Sequence, residues 1–371
     1  MNIGLVLPAC SAHEDEWHTP LVQQVIRGLS ERHTVRVFPL TYPSDPTPYR
    51  LYNAQVFPIG GSPNLKGLRR WSITRQIQQL LTQQHQSQAF DVIHVWGADN
   101  SAVASHWVGK QFNIPTVVSV IGGELVGFPH INYGLQLSIT TQWHVRQALH
   151  DATRIIAHSR YIKQLLSVYV APERHHTIVE VPLGTDTTLF QPPQSDQRAY
   201  EYIHVGEMTP VKNQAALLRL LAKLPSATLV LIGDGPLRGE LESLAQSLGI
   251  DDRVFFRGRI PYPELPTHYQ EARFFLTTSI HEAFCLPTIE ALACEVGVIG
   301  PPIGILSEVG MTAPVDDLQE LILKRARKRG DIQRARYRLL VETTYTLRHM
   351  LQGLEAVYAG LSPSPTPPAD H

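Results

Sequence analysis

Cysteine is scarce in this sequence of 371 residues: only Cys10, Cys285 and Cys294 occur, and no two of them form a CxxC pair. Thiols this few and this scattered do not make a disulfide framework, which favours a reducing cytoplasmic location. An excess of either charge is also absent, because 32 basic side chains stand against 33 acidic ones. This balance gives no reason to expect nucleic acid as a partner.

Long hydrophobic runs are missing as well, since no apolar run approaches the roughly 20 residues of a membrane-spanning helix. The first residues, MNIGLVLPACSAHEDE, contain a short apolar run followed by acidic groups, which predicts a buried strand rather than a signal peptide. We therefore expect no transmembrane segment, and peripheral attachment to the inner face of a membrane stays open. Hydrophobic residues make up 43% and charged residues 18% of the chain, which is typical of a globular protein.

Apolar segments alternate with amphipathic ones through both halves of the chain. Strands are predicted at Asn2–Leu7, Thr34–Phe38, Asp91–Val95, Thr116–Ile121, Arg154–Ala157, Thr177–Val181, Tyr202–Val205, Thr228–Ile232, Arg253–Phe256, Phe274–Thr278 and Val296–Ile299. Helices are predicted at Leu21–Glu31, Leu68–His85, Ser101–Gln111, Leu135–Leu149, Tyr161–Val170, Asn213–Leu224 and Leu237–Leu248. Continuous apolar strands separated by helices are typical of parallel, doubly wound α/β sheets.

The length and a Pro-rich segment divide the chain into two Rossmann-like domains that face each other across a cleft. Residues 1–190 form the first domain, 191–200 a linker and 201–340 the second domain. A C-terminal helix within 341–361 is expected to pack back on the N-terminal domain, and 362–371 to form a disordered tail. In such sheets ligands bind at the carboxyl ends of the strands.

The stretch 277–300 carries two carboxylates, Glu282 in a predicted turn and Glu290 on the helix after it. Pro287 lies between them and favours a helix start, because its fixed backbone angle suits the first turn. The amides next to this helix start belong to Phe284, Cys285 and Leu286. Together with the helix dipole they favour an anion such as a phosphate.

Other predicted strands of the second half also end in residues suited to a ligand. Gly206 ends one strand, and Lys212 lies where its ammonium could neutralise a phosphate. Gly233 and Gly235 would let the backbone approach a ligand closely. Taken alone, Lys212 is more typical of an exposed surface lysine, and the two glycines are typical of an ordinary strand-to-helix turn.

A nucleoside diphosphate matches these features in their order along the chain. Arg259 and Ile260 could form a ledge for the base, and Glu290 could accept both ribose hydroxyls. The phosphates would lie between Lys212 and the helix start, with the remaining group near Glu282. The consistency of this order, rather than any single residue, supports the interpretation.

Several segments carry a family resemblance: VPLGTDTTLF, VGEMTPVKN, LIGDGPLRGELE, RVFFRGRIPYPELPTHYQEA, and the segment from Glu282 to Glu290, which is similar to an E-x7-E motif. With them the chain resembles the retaining GT-B glycosyltransferases of family 4. The resemblance implies transfer of a sugar from a nucleotide-diphosphate sugar to a glycan, lipid-linked or small-molecule acceptor. It implies no required metal or other cofactor. Lys212 would contact the diphosphate, Glu290 the ribose and Glu282 the donor sugar, which makes Lys212 and Glu282 the candidate catalytic residues.

The sequence departs from the family pattern at several positions. Glu207 stands where an arginine is frequent, Cys285 and Glu295 stand where glycines are usual, and Ile121 replaces a histidine. Our interpretation is that a neighbouring segment replaces part of the missing function, with its glycines approaching the donor and its carboxylate facing the sugar. This segment consists of Gly122, Gly123 and Glu124.

The loop after the first predicted strand contains residue types that bind metals, namely His13, Glu14, Asp15, Glu16 and His18. Their spacing fits no common zinc site, so a solvated or acceptor-binding loop is the preferred interpretation and no metal is expected. The sequence leaves three functions open. They are an active glycosyltransferase, a degenerate member that binds a nucleotide or sugar as a partner module, and a nucleotide-sugar epimerase or phosphorylase.

Overall fold

A computed structural model describes residues 1–17, 19–60, 68–195, 197–327 and 334–361. The predicted disordered tail, 362–371, lies outside the described residues, as does His18. Within the described ranges no helix combines the length and the apolar composition needed to cross a membrane.

The N-terminal half is built on an eight-stranded sheet with the order β3-β4-β2-β1-β5-β6-β7-β8. Its strands are β1 (Asn2–Ala9), β2 (Thr34–Tyr42), β3 (Tyr49–Leu51), β4 (Ala54–Val56), β5 (Val92–Trp96), β6 (Thr116–Val120), β7 (Arg154–Ala157) and β8 (Ile178–Glu180). Its helices are α1 (Pro20–Ser30), α2 (Leu68–Ser87), α3 (Asn100–Phe112), α4 (Ile139–Asp151) and α5 (Arg160–Tyr169). The hairpin β3–β4 is antiparallel, whereas the other pairings described in this sheet are parallel.

The C-terminal half contains a parallel sheet with the order β11-β10-β9-β12-β13-β14. Its strands are β9 (Tyr200–Val205), β10 (Leu229–Ile232), β11 (Val254–Gly258), β12 (Ala272–Leu276), β13 (Gly297–Gly300) and β14 (Met311–Thr312). Its helices are α6 (Gln214–Ala222), α7 (Arg238–Ser247), α8 (Leu265–Gln270), α9 (Leu286–Ala293), α10 (Leu306–Val309), α11 (Leu318–Arg327) and α12 (Arg334–Thr344). A last helix, α13 (Leu347–Ala359), completes the order of elements.

Central strands are buried on both faces, which explains their continuous apolar sequences. Every residue of β5, β6 and β10 is buried. The strand order reverses between β1 and β5 in the first sheet and between β9 and β12 in the second. Ligand crevices in open α/β sheets lie at such reversals, at the carboxyl ends of the strands. The predicted fold of two doubly wound α/β units is confirmed.

Some short elements differ from the prediction. The hairpin β3–β4 and the strand β14 were not predicted, because segments of three and two residues are too short to show a periodic pattern. The helix expected from Leu135 begins at Ile139, after a separate 3-10 turn at Leu135–Leu137. The helix expected from Asn213 likewise begins at Gln214, after a 3-10 turn at Pro210–Lys212.

The last two helices pack on different halves. Val341 and Tyr345, in and just after α12, belong to the core of the C-terminal half. Met350, Leu354 and Tyr358 of α13 belong to a core formed with the N-terminal half. The chain therefore returns to the first half between α12 and α13.

Candidate functional site

A lysine and a glutamate from two neighbouring strand ends form the centre of the candidate site. Lys212 lies in the 3-10 turn after β9, and Glu282 lies in the turn between β12 and α9. Because β9 and β12 pair in parallel, their carboxyl ends lie side by side. Lys212 Nζ is 2.6 Å from Glu282 Oε1, and the Ser279 hydroxyl donates to the same oxygen at 2.8 Å.

The charges of this pair are matched inside the protein. Burial opposes the charge of the Lys212 ammonium, but the neighbouring Glu282 carboxylate outweighs it and the pKa of Lys212 is raised. The lysine is therefore protonated at neutral pH. A bound anion could replace the Glu282 carboxylate as the partner of the Lys212 ammonium, or it could share the ammonium with that carboxylate.

The start of α9 presents backbone amides next to this pair. The helix begins at Leu286, with Pro287 as its second residue, after Cys285 in a left-handed conformation with φ 76°. Among the described residues, no turn or loop hydrogen bond uses the amides of Phe284, Cys285 or Leu286 as donors. Amides in this arrangement, reinforced by the helix dipole, suit a phosphate.

Glu290 lies inside the molecule on α9. Its side chain is 2% exposed, and its Oε2 accepts a hydrogen bond from the Tyr269 hydroxyl at 2.9 Å. Burial raises the pKa of Glu290 to about 7, and the bond from Tyr269 opposes this rise. No hydrogen bond or ion pair between described residues joins Glu290 to the Lys212–Glu282 pair.

The glycines at the neighbouring strand ends pack against one another. A Cβ atom on Gly233, whose φ is 123°, would lie 2.8 Å from the carbonyl carbon of Gly206. A Cβ atom on Gly235 would lie 2.6 Å from the Met208 carbonyl oxygen. The close approach of these loops is therefore a sufficient reason for Gly233 and Gly235, without a ligand.

The residues expected to contact the base come after β11. Gly258 ends this strand in a left-handed conformation with φ 69°, and its carbonyl accepts the amide of Gly233 at 2.8 Å. Arg259 is exposed, and Ile260 is partly buried against the C-terminal core. The proposed contact of Arg259 and Ile260 with the base stays a prediction.

Glu124 has a different position from the one expected. The side chain is 4% exposed, and its carboxylate accepts the amides of Ile121 at 3.0 Å and Gly122 at 2.6 Å. The amide of Ala98 also donates to it, at 3.3 Å. Burial raises its pKa, and these amides oppose the rise. The carboxylate therefore supports the Gly122–Gly123 loop from inside, in contrast to the expectation that it faces a sugar.

The two halves meet beside the Lys212–Glu282 pair, and the sequence interpretation included Gly122 of this contact but neither His281 nor Ser159. The Nε2 atom of His281 lies 3.1 Å from the Gly122 carbonyl oxygen. The Ser159 hydroxyl donates to the Ala283 carbonyl at 2.7 Å. The only available signal was that His281 directly precedes Glu282. The contact itself joins residues 159 positions apart, which no local pattern reveals.

The acidic loop after β1 uses its carboxylates for its own structure. Glu16 Oε2 accepts the Ala12 amide at 2.6 Å, and Glu14 Oε1 accepts the Tyr52 amide at 3.1 Å. The part of the chain that the structure describes contains no cluster of three or more His, Cys, Asp or Glu side chains that could hold a metal ion.

Each half of the chain matches the profile of a known protein family. The profile described as Glycosyltransferase Family 4 matches residues 21–189, and the profile described as Glycosyl transferases group 1 matches residues 185–310. The chain belongs to the GT-B glycosyltransferases of family 4. The second profile includes the Lys212–Glu282 pair and Glu290, and the first includes the Gly122 loop.

Two curated relatives illustrate the range of this family. The alpha-monoglucosyldiacylglycerol synthase of Streptococcus pneumoniae is 29% identical over 56% of this chain and 51% of its own length. The D-inositol 3-phosphate glycosyltransferase 1 of Catenulispora acidiphila is 32% identical over 41% of this chain and 42% of its own. The chain thus spans about half the length of the curated relatives it matches.

Solved structures share the fold over almost the whole chain. Sucrose-phosphate synthase from Thermosynechococcus elongatus superposes with a TM-score of 0.79 at 20% identity, covering 97% of this chain and 98% of that one. Anabaena HepE, solved in complex with UDP and glucose, superposes with a TM-score of 0.71 at 17% identity, covering 97% and 100%. At these identities the likeness concerns the fold.

Proposed function

We propose that this family member is an active enzyme. It transfers a sugar from a nucleotide-diphosphate sugar to an acceptor hydroxyl, with retention of the anomeric configuration. The observation that carries the proposal is the Lys212–Glu282 pair at the strand reversal of the second sheet, with the Gly122 loop of the other half beside it.

In this proposal the donor is held by its charge and its ribose. Lys212 and the amides at the start of α9 bind the diphosphate, with a charge-assisted hydrogen bond contributing about 1.5–3 kcal/mol. Glu290 accepts the ribose hydroxyls, and Arg259 with Ile260 supports the base. UDP is the first nucleotide to test, because HepE has been solved with UDP and with UDP-glucose.

The proposed chemistry needs no nucleophile from the protein. The bond from the anomeric carbon to the diphosphate breaks as the acceptor oxygen bonds on the same face, and the acceptor proton passes to the departing diphosphate. Lys212 and the α9 amides stabilise the charge that develops on that diphosphate. Glu282 orients the sugar hydroxyls, and the Gly122 loop excludes water.

The test is incubation with a panel of nucleotide sugars, followed by product analysis and NMR of the new anomeric linkage. One donor should be transferred or hydrolysed by the wild type. Lys212→Met should weaken UDP binding in calorimetry at least tenfold, because it removes a charge-assisted contact worth more than about 1.4 kcal/mol.

Lys223→Met is the matched control, since Lys223 is exposed at the end of α6. It should bind UDP as the wild type does. Unchanged UDP affinity in Lys212→Met would show that Lys212 does not bind the diphosphate. A product with inverted anomeric configuration would contradict the proposed retention.

A second candidate function is a nucleotide- or sugar-binding partner module. The exposed Glu207 follows Gly206 at the position where an arginine is frequent in the family. Lys212, the cation of the pair, is already hydrogen-bonded to Glu282. UDP binding without turnover of any donor in the panel would favour this module. Release of a sugar phosphate or of an epimer would favour an epimerase or phosphorylase instead.

A further inference from the structure

His281 is a buried residue of the C-terminal half whose polar contacts lie in the other half. It is 2% exposed and directly precedes Glu282. Its Nε2 atom is 3.1 Å from the Gly122 carbonyl oxygen, and its Nδ1 atom is 3.3 Å from the Tyr161 hydroxyl. Gly122 follows β6 and Tyr161 lies in α5, so separating the two halves would break both contacts.

The ring of His281 is also enclosed by aromatic side chains of the N-terminal half. Its centroid lies 5.7 Å from that of Tyr161, 6.2 Å from that of Tyr133 and 6.3 Å from that of Phe128. The imidazole therefore fits into a socket formed by Phe128, Tyr133 and Tyr161. A histidine that merely filled its own core would pack against its own half.

The hydrogen bonds define the protonation of the ring. A carbonyl oxygen only accepts, so Nε2 of His281 carries the proton and donates to Gly122. In the neutral ring Nδ1 is then an acceptor for the Tyr161 hydroxyl. Burial lowers the pKa of His281, and the bond to Gly122 opposes this effect.

The titratable groups around the socket come from both halves, and the charged ones, Glu282 and Lys212, belong to the C-terminal half. Glu282 favours protonation of the imidazole, whereas the Lys212 ammonium disfavours it. Tyr133 and Tyr161 face it from the N-terminal half, and burial raises the pKa of both phenols, so they are neutral. An imidazolium in this socket would thus be a poorly hydrated cation near Lys212.

We propose that neutral His281 is a positioning residue that holds the Gly122 loop against the Lys212–Glu282 pair and so aligns the closed cleft. The inference rests on the proposed function for its effect on turnover, but its effect on closure is independent of that function. Through its neighbour Glu282 and its bond to Gly122, His281 connects the two sides of the cleft without touching the substrate.

Closure of the cleft should depend on pH, because His281 is buried between the two halves in the closed form and is exposed to solvent in the open form. In the open form His281 is expected to have an ordinary pKa of about 6.5. Since the closed form lowers this pKa, closure is fully favoured above about pH 6.5 and is weakened as the pH falls below it. Acid should therefore open the cleft through His281.

The test compares His281→Phe with His281→Gln. The phenylalanine keeps the ring in the socket and removes both hydrogen bonds, whereas the glutamine retains an N–H donor for the Gly122 carbonyl. We expect kcat to fall at least tenfold in His281→Phe with less than a threefold change in the donor KM. His281→Gln should recover much of this loss and lack the fall in kcat below about pH 6.5 that the wild type shows.

Small-angle X-ray scattering in the presence of UDP measures closure without activity. The wild type should be compact at pH 8 and expanded at pH 5.5, His281→Phe expanded at both, and His281→Gln compact at both. If His281→Phe had the same kcat, pH profile and radius of gyration as the wild type, the inference would be wrong. If the wild type turns over no donor, the proposed function fails, and the scattering still decides the role of His281.

Discussion

At the scale of single residues, the buried carboxyl of Glu290 has a measurable consequence for stability. The folded protein raises its pKa to about 7, whereas an unfolded glutamate titrates near 4.3. The folded state thus binds the proton more tightly than the unfolded state. The free energy of unfolding must therefore fall as the pH rises between these two values.

Glu290→Gln should remove this pH dependence. Relative to the variant, the wild type should lose on the order of 1–3 kcal/mol of unfolding free energy between pH 4.5 and pH 7.5, since one pKa unit corresponds to about 1.4 kcal/mol. Urea unfolding at several pH values measures it. Glu264→Gln, at an exposed position, serves as the control and should follow the wild-type curve. Parallel curves for the wild type and Glu290→Gln would contradict the burial argument.

The residues of the site differ in how far the sequence could predict them. Lys212 and Glu282 were recognisable because each follows a predicted strand, and neighbouring parallel strands bring such residues together. Tyr269 as the partner of Glu290, and Gly122 as the partner of His281, depend on contacts across elements. The sequence pattern gives no register for such contacts.

At the scale of elements, α9 is bounded by left-handed residues that are not glycine. Cys285 precedes it with φ 76°, and Glu295 follows it with φ 56°. The end of the helix is a Schellman motif, since the Val296 amide donates to Ala291 at 2.9 Å and the Glu295 amide to Leu292 at 3.0 Å. Glycine usually occupies the position of Glu295 because it lacks the Cβ atom that disfavours this conformation.

Glu295→Gly should consequently stabilise the protein. We expect the free energy of unfolding to rise by about 0.5–1 kcal/mol, the net of relieved backbone strain and the greater freedom of the unfolded chain. Denaturant unfolding at neutral pH measures the change. Glu295→Ala removes the same charge but keeps the Cβ atom, so it should give no such gain. Equal stabilisation in both variants would point to charge rather than backbone conformation.

At the scale of the whole molecule, the C-terminal part of the chain returns to the N-terminal half and packs against it. Thr185 donates its amide to Tyr345 and accepts the amide of Leu347, both at 2.9 Å. Beyond this crossing, the Tyr358 hydroxyl of α13 lies 2.7 Å from His94 Nδ1 inside the first half. The last helix is therefore part of the N-terminal core.

Leu354→Ala tests this arrangement. Leu354 is fully buried in α13, and removing its side chain should cost about 2–5 kcal/mol of unfolding free energy. Hydrogen exchange should show lost protection in β1 and β2 and little change in β9 and β10. Val168→Ala, at a residue 81% exposed on α5, is the control and should change little. Uniform loss of protection in both sheets would mean that the two halves unfold as one unit.

The sequence by itself determined the two doubly wound sheets and the strand-end positions of Lys212, Glu282 and the start of α9. Apolar periodicity and turn residues are local, and they specify the elements and the residues directly after each strand. Only the tertiary structure decided that Glu124 supports the Gly122 loop, that Tyr269 holds Glu290, and that His281 reaches the opposite half. Those contacts depend on how packed elements meet in space, which no spacing along the chain records.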